Sequence, residues 1–209
     1  GLGDVYKRQG STYIGSSNVT TPISDIMSLT GYRGAHLEAK VIAGIKFAAG
    51  NMFAGDFKRV VGTDGVLDFG QPFTERPTSL STRIKFHSTP ITRVSTSNPD
   101  LTNLRNQPDM CIVWCALIDS DTPYEIRTQK SNRQLFDKDG DCVIAYGEFS
   151  TDTDIDEYTD ITIPLTYKSY SRKPKYLLVV ASTSKYGDYY TGGPGSTLDI
   201  LHFTLNYDY

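Results

Sequence analysis

The chain has 209 residues, of which 38% are hydrophobic and 22% charged, with a formal net charge of −3. That length suits one large all-β domain and needs no disulfide or metal to hold a core together. The acidic balance, with no run of Lys and Arg interleaved with aromatics, argues against nucleic acid as a partner, because neutralising phosphates takes clustered positive charge.

Residues 1–9 read Gly-Leu-Gly-Asp-Val-Tyr-Lys-Arg-Gln. Back-translated, they match a transposase adapter used to prepare sequencing libraries, so they are set aside before any fold reasoning. The natural sequence is expected to start at Gly10 as one domain over 10–209, with its own beginning cut off. No stretch of about 18 apolar residues follows, so no transmembrane helix is expected.

Strand signals dominate from Leu37 onward. The segment 37–49 is apolar and interrupted by Gly44, and 66–69 follows. In 82–86, Ile84 and Phe86 alternate with Arg83 and Lys85, the period-2 pattern of a half-buried strand. The run 110–118 is almost continuously apolar, as expected of a strand covered on both faces or bending between sheets. Trp114, the only tryptophan, lies inside it, which favours core packing over an exposed sugar platform.

Further on, 142–149 reads as a strand. The segment 159–167 puts Ile161, Ile163, Leu165 and Tyr167 on one face, with Pro164 marking an edge or a bulge. The segments 176–182 and 197–207 complete the set, Leu201, Phe203 and Leu205 facing away from His202, Thr204 and Asn206. Turn clusters at 63–65, 138–141 and 192–195 separate these runs. Short helix is expected only at 23–29 and 103–108. About eight strands with irregular connections predict an all-β, antiparallel β-sandwich of jelly-roll type.

Cys111, Cys115 and Cys142 form an odd set. On a strand, Cys111 and Cys115 share a face about 13 Å apart at ~3.3 Å per residue, beyond the roughly 7 Å that a disulfide allows between Cα atoms. Buried free thiols are expected, with a Cys115–Cys142 bridge as the alternative. Asp137, Asp139, Asp141 and Glu148 stand at positions 1, 3, 5 and 12 of a calcium-loop pattern. Position 6 is Cys142 where that loop needs Gly, and a strand follows instead of a helix, so calcium is disfavoured there. His36, His87 and His202 have no metal spacing, and no nucleophile elbow or phosphate loop occurs.

Four segments, 48–57, 69–78, 172–182 and 184–198, carry a family resemblance. The most specific is Ser184-Lys185-Tyr186-Gly187-Asp188-Tyr189-Tyr190-Thr191-Gly192-Gly193-Pro194-Gly195-Ser196-Thr197-Leu198. Together they resemble the "putative carbohydrate metabolism domain", the jelly-roll domain of secreted or surface lipoproteins of gut Bacteroidetes. The resemblance runs over roughly residues 13–209, and Tyr13–Asn18 echoes its entry segment. It implies an exported protein, at the cell surface or in the periplasm, that handles carbohydrate. Sugar-binding jelly rolls often follow Gly-Ser-Thr-Leu, three residues on, with an Asp that helps hold a structural calcium. Here that position is Leu201, next to His202 and two residues beyond Asp199, so calcium is doubtful and no cofactor is expected.

A sugar site needs flat aromatic faces and planar polar groups. The loop 185–195 offers Lys185, Tyr186, Asp188, Tyr189 and Tyr190 among glycines that let a ligand approach the backbone; the same residues also suit packing of the loop on its own domain. Arg76 could clamp a hydroxyl pair or a carboxylate, or bridge to Glu75 or Asp188. The leading expectation is a non-catalytic module binding an oligosaccharide or polysaccharide, with no membrane contact of its own. A glycoside hydrolase using a carboxylate pair, such as Glu38 with Glu148 across a concave sheet, is one alternative. A structural or adhesion domain without a sugar site is the other.

Overall fold

The computed structural model describes residues 20–23, 34–42, 46–61, 64–96 and 98–208. The adapter-like segment, the 13–18 entry segment and nearly all of the 23–29 helix expectation lie outside them. Alternation builds the first sheet. In β9 (Ser79–His87), Leu80, Thr82, Ile84 and Phe86 are buried while the residues between them face out. Its neighbours are β13 (Ile155–Pro164) on one side and β16 (Thr197–Asn206) on the other, followed by β2 (Gly34–Glu38) and β1 (Thr20–Ile23). Pro164 ends β13, an edge strand, where its missing N–H costs no ladder bond.

The second sheet runs β14 (Thr166–Tyr167), β12 (Val143–Thr151), β10 (Cys111–Ile118), β15 (Tyr176–Ser182), β5 (Asn51–Phe53), and β8 (Gln71–Pro72) also pairs with β15. All these pairings are antiparallel. The chain crosses between the two sheets from β8 to β9, β9 to β10, β12 to β13 and β15 to β16, giving an antiparallel sandwich of jelly-roll type. Leu37, Leu80, Ile84, Phe86, Val113, Leu117, Leu177, Val179, Leu198 and Ile200 fill its interior. Each such side chain contributes about 1.5–3 kcal/mol on full burial.

The central strand β10 is covered on both faces. A small third sheet of β11 (Tyr124–Arg127), β7 (Asp64–Phe69) and β6 (Gly55–Val61) helps roof the outer side of the second sheet. Under it Trp114 is only 8% exposed and stacks on Phe136 at 4.6 Å, the core role expected from its apolar run.

Several elements differ from the sequence expectation. The apolar segment 37–49 is divided among β2 and a hairpin of β3 (Lys40–Ile42) and β4 (Lys46–Ala48). The 159–167 run breaks at Leu165, where the chain leaves the first sheet for the second. A bulge between Ile200 and Phe203 shifts the register of β16, so Phe203 joins Leu198 and Ile200 in the core and Leu201 is turned towards Ile23 and Gly34. The 103–108 helix is a 3-10 turn slightly earlier, at Pro99–Leu104. All three cysteines are free. Cys115 packs into the interior and Cys142 against the outer cluster, on opposite faces of the second sheet, so the alternative bridge does not form. Burial pushes the Cys111 and Cys115 thiols up to about 12.

Candidate functional site

The loop joining β15 to β16 carries five of the six residues singled out from sequence. Its shape is fixed from below by Asp109, which is 1% exposed. One carboxylate oxygen accepts from the Ser184 hydroxyl (2.6 Å), the Gly193 N–H (2.7 Å) and the Ser196 hydroxyl (3.3 Å), and the other accepts from the Met110 N–H (2.9 Å). Desolvation raises the pKa of this carboxyl, and the four donors work against that rise. Gly193 is required by close approach: a Cβ there would sit 2.4 Å from the Thr89 carbonyl oxygen.

Above this anchor the tyrosines are mostly engaged by the domain itself. Tyr190 has φ 57°, closes the short 3-10 turn Gly187–Tyr189, and packs on Ala39, Phe47 and Ala49 with Lys46 Nζ 4.5 Å from its ring centroid. The Arg133 guanidinium lies 4.9 Å from the Tyr189 ring centroid. Tyr186 is half-buried, and its carbonyl accepts from the Tyr189 and Thr191 N–H groups. Asp188 is exposed at the tip. One ring face of Tyr190 and one of Tyr189 thus each meet a cation of the domain itself.

Arg76 is not part of this loop's surroundings. It precedes the Ser79 end of β9, whereas the loop enters the sheet beside His87, at the other end of the same strand. Its guanidinium donates to the main-chain carbonyls of Ser169 (3.3 Å) and Arg172. It bridges to neither carboxylate: the register of β9 with β16 carries it to the opposite end of the sandwich from Asp188, and Glu75 accepts from the Tyr207 hydroxyl instead.

Lys185 is the loop residue that reaches an open surface. Its Nζ donates to Glu148 Oε1 (3.3 Å) and Ser150 Oγ (3.4 Å) on the outer face of β12. The Tyr146 hydroxyl donates to the other Glu148 oxygen at 2.7 Å. These residues border an open groove of about 510 Å³ lined by Lys138, Asp139, Tyr146, Glu148, Thr166 and Lys168. Tyr146 hydrogen bonding and the neighbouring Lys185 hold Glu148 below the usual carboxylate range, while burial first and Glu148 second push the Tyr146 phenol up. Lys168 Nζ donates to the Lys138 carbonyl (2.7 Å) and pairs with Asp139 at 3.4 Å, which ties the two groove walls together. The Tyr146 ring packs beside Phe136 and has Lys138 Nζ 5.9 Å from its centroid, so what the concave surface offers is a fixed carboxylate and lysine donors, the groups that bond sugar hydroxyls.

The profile of the "putative carbohydrate metabolism domain" matches residues 8–206. The chain belongs to that family. Two solved structures share its fold. One, from Bacteroides thetaiotaomicron and described as a putative glycoside hydrolase, is 19% identical with a TM-score of 0.69, over 96% of this chain and 60% of that one. The other, from Bacteroides vulgatus and described in the same words, is 18% identical with a TM-score of 0.66, over 90% of this chain and 77% of that one. The chain thus spans about three fifths of the first protein's length. No curated protein matches it.

In this carbohydrate metabolism domain Glu38 and Glu148 do not form a pair. Glu38 lies on the first sheet and bonds Lys40, whereas Glu148 faces outward from the second. In the 137–141 turn, the Asp137 carboxylate accepts from the Asp139 N–H at 2.9 Å, capping its own turn. Asp199 accepts from Tyr158 (3.0 Å) and pairs with His36 on the outer face of the first sheet. Among the described residues no group of three His, Cys, Asp or Glu side chains is placed to hold a metal. Sequence reasoning did not single out Asp109, Tyr146, Lys138 or Lys168. The groove residues come from three stretches within 138–168 that adjoin only in the fold, and the sequence marks Asp139 and Glu148 only within a calcium-loop pattern and, for Glu148, as a partner for Glu38.

Proposed function

We propose that this domain is a non-catalytic carbohydrate-binding module of an exported bacterial protein, and that an oligosaccharide lies in the groove lined by Lys138, Tyr146, Glu148 and Thr166. The observation that carries this is the state of Glu148. It sits beside an aromatic ring in an open groove, fixed and ionised by donors from Tyr146 and Lys185. A hydrolase needs a carboxyl whose pKa is raised so that it can protonate the leaving oxygen. Glu148 is shifted the other way. Among the described residues desolvation raises two aspartates, Asp109, which is sealed under its loop, and Asp188, which does not line the groove. Ionised Glu148 instead suits the acceptance of hydroxyl hydrogen bonds, with Lys138 and Lys185 as donors.

The test is incubation of the domain with plant, host and microbial glycans, measuring both retention and product release. Retention without products, weakened about tenfold or more by Glu148→Ala or Lys185→Ala, is the expected result. Product release lost in Glu148→Gln would establish the hydrolase reading instead. Absence of both across the panel would favour a structural domain of a surface assembly. Recovery of the full-length gene tests export, which requires a signal sequence upstream.

A further inference from the structure

Lys185 reaches its groove partners across an intervening strand. In the second sheet β10 lies between β15, which the loop leaves, and β12, which carries Glu148 and Ser150. Neighbouring strands stand ~4.8 Å apart, so two such spacings separate the start of the loop from β12. A lysine's four-carbon stem covers only about 6 Å of that, and the carboxylate and hydroxyl opposite must close the rest. The contacts are accordingly long, 3.3 Å to Glu148 Oε1 and 3.4 Å to Ser150 Oγ, at the outer limit of a hydrogen bond. There is little slack, and a small retreat of the Lys185 backbone breaks both.

That backbone is fixed by its neighbour. Ser184 is 2% exposed, and its hydroxyl donates to the sealed Asp109 carboxylate at 2.6 Å. Its N–H donates to Ser182 Oγ (3.3 Å), and its carbonyl accepts from that hydroxyl (3.1 Å) and from the Gly187 N–H (2.9 Å). The Lys185 N–H then donates to the Met110 carbonyl at 2.7 Å, and the Met110 N–H is itself held by Asp109. The other loop groups on Asp109, the Gly193 N–H and the Ser196 hydroxyl, hold the far limb of the loop, where it turns into β16.

We infer that Ser184 is a positioning residue of the groove: its bond to Asp109 sets where Lys185 begins, and so keeps Lys185 Nζ on Glu148 and Ser150. This rests on the groove's proposed role in sugar binding, in which Lys185 and the ionised Glu148 act together. Glu148 itself supplies a readout that needs no ligand. The Tyr146 hydroxyl first, then the charge and hydrogen bond of Lys185, and last the charge of Lys138 hold it below the ordinary carboxylate range against the cost of burial. Withdrawing Lys185 while Tyr146 and Lys138 stay therefore raises the Glu148 pKa.

The test follows the Glu148 carboxyl carbon by NMR across acidic pH in the parent, Lys185→Met, Ser184→Ala and Ser196→Ala, with the signal assigned through Glu148→Gln. Lys185→Met should move the titration upward and sets the size of a complete loss. Ser184→Ala should move it the same way, by a substantial part of that shift. Ser196→Ala removes a hydroxyl from the same carboxylate oxygen but away from Lys185, and should titrate with the parent. Ser184→Ala titrating with the parent would overturn the inference. So would equal shifts in the two serine variants, which would mark a general loosening of the loop. With glycans, Ser184→Ala should weaken retention and Ser196→Ala should not. A parent that retains no glycan, with the Glu148 shifts as expected, would overturn the sugar reading and leave the positioning standing.

Discussion

The two ends of the sandwich are each organised by one charged side chain that bonds to loop backbone, and the two charges have opposite sign. At the end where β16 begins, the anionic Asp109 gathers two N–H groups and two hydroxyls. Where β9 begins, the cationic Arg76 gathers two carbonyls. The difference lies in burial. Asp109 is sealed in and its donors are sealed with it, since Ser184, Gly193 and Ser196 are also buried. Arg76 is half-buried, and the carbonyls it holds belong to a surface segment. The first device therefore belongs to the stability of the fold and the second to the shape of a surface.

The largest expected effect follows from the sealed end. Asp109→Ala leaves buried hydroxyls and N–H groups without their acceptor, at a cost of about 3 kcal/mol or more in equilibrium denaturation. Ser184→Ala removes one donor of the four, and should cost only about 1 kcal/mol. If the two variants unfold alike, Asp109 is not the hub described here.

Next in size is the exposed end. Arg76→Ala should lower stability by about 1–2 kcal/mol, because water can reach the carbonyls it releases. Arg76→Lys should not restore the parent, since one ammonium cannot reproduce the fork that spans two carbonyls. A loss at Arg76 as large as at Asp109 would erase the contrast between the ends.

This contrast explains what could be read from the chain alone. The strand Tyr176–Ser182 was legible to the residue, because a dense apolar run bounded by polar turns leaves little choice. The fold followed from a handful of such runs. β6 was not legible: Phe57, Val60 and Val61 are exposed on it beside Lys58 and Arg59, so it carries no burial pattern to read. The loop 185–195 stood out because glycine and tyrosine are conspicuous, yet Tyr190 packs on Phe47 and Tyr189 meets Arg133. Asp109 looks like any aspartate following a proline, and its burial is decided by Ser184, Gly193 and Ser196 some 75 to 87 positions later. Tyr170 is one of 14 tyrosines, and only coordinates separate the exposed ring from the others. Patterning gives burial along a strand; it does not give the long-range partners that make a site.

The smallest effect is also the one that separates the ends by sign. Desolvation raises the Asp109 pKa above its unfolded value of 3.8, so the folded state binds the extra proton between the two values. Stability then falls as pH rises through that window. Near Arg76, the hydrogen bond from Arg172 followed by its charge holds Asp119 below the ordinary value. There the folded state binds fewer protons, so the contribution is present above the unfolded pKa and lost as pH falls through the folded one. The check is denaturation across acidic pH for the parent, Asp109→Asn and Asp119→Asn. The stability of the parent relative to Asp109→Asn should grow as pH falls through the Asp109 window, then level off. Relative to Asp119→Asn it should shrink as pH falls through the lower window. The Asp119 difference is expected to be modest, because that ion pair is partly solvated. Two differences of the same sign would mean that burial at Asp109 is outweighed by its four donors, and that both ends are held by ionised carboxylates.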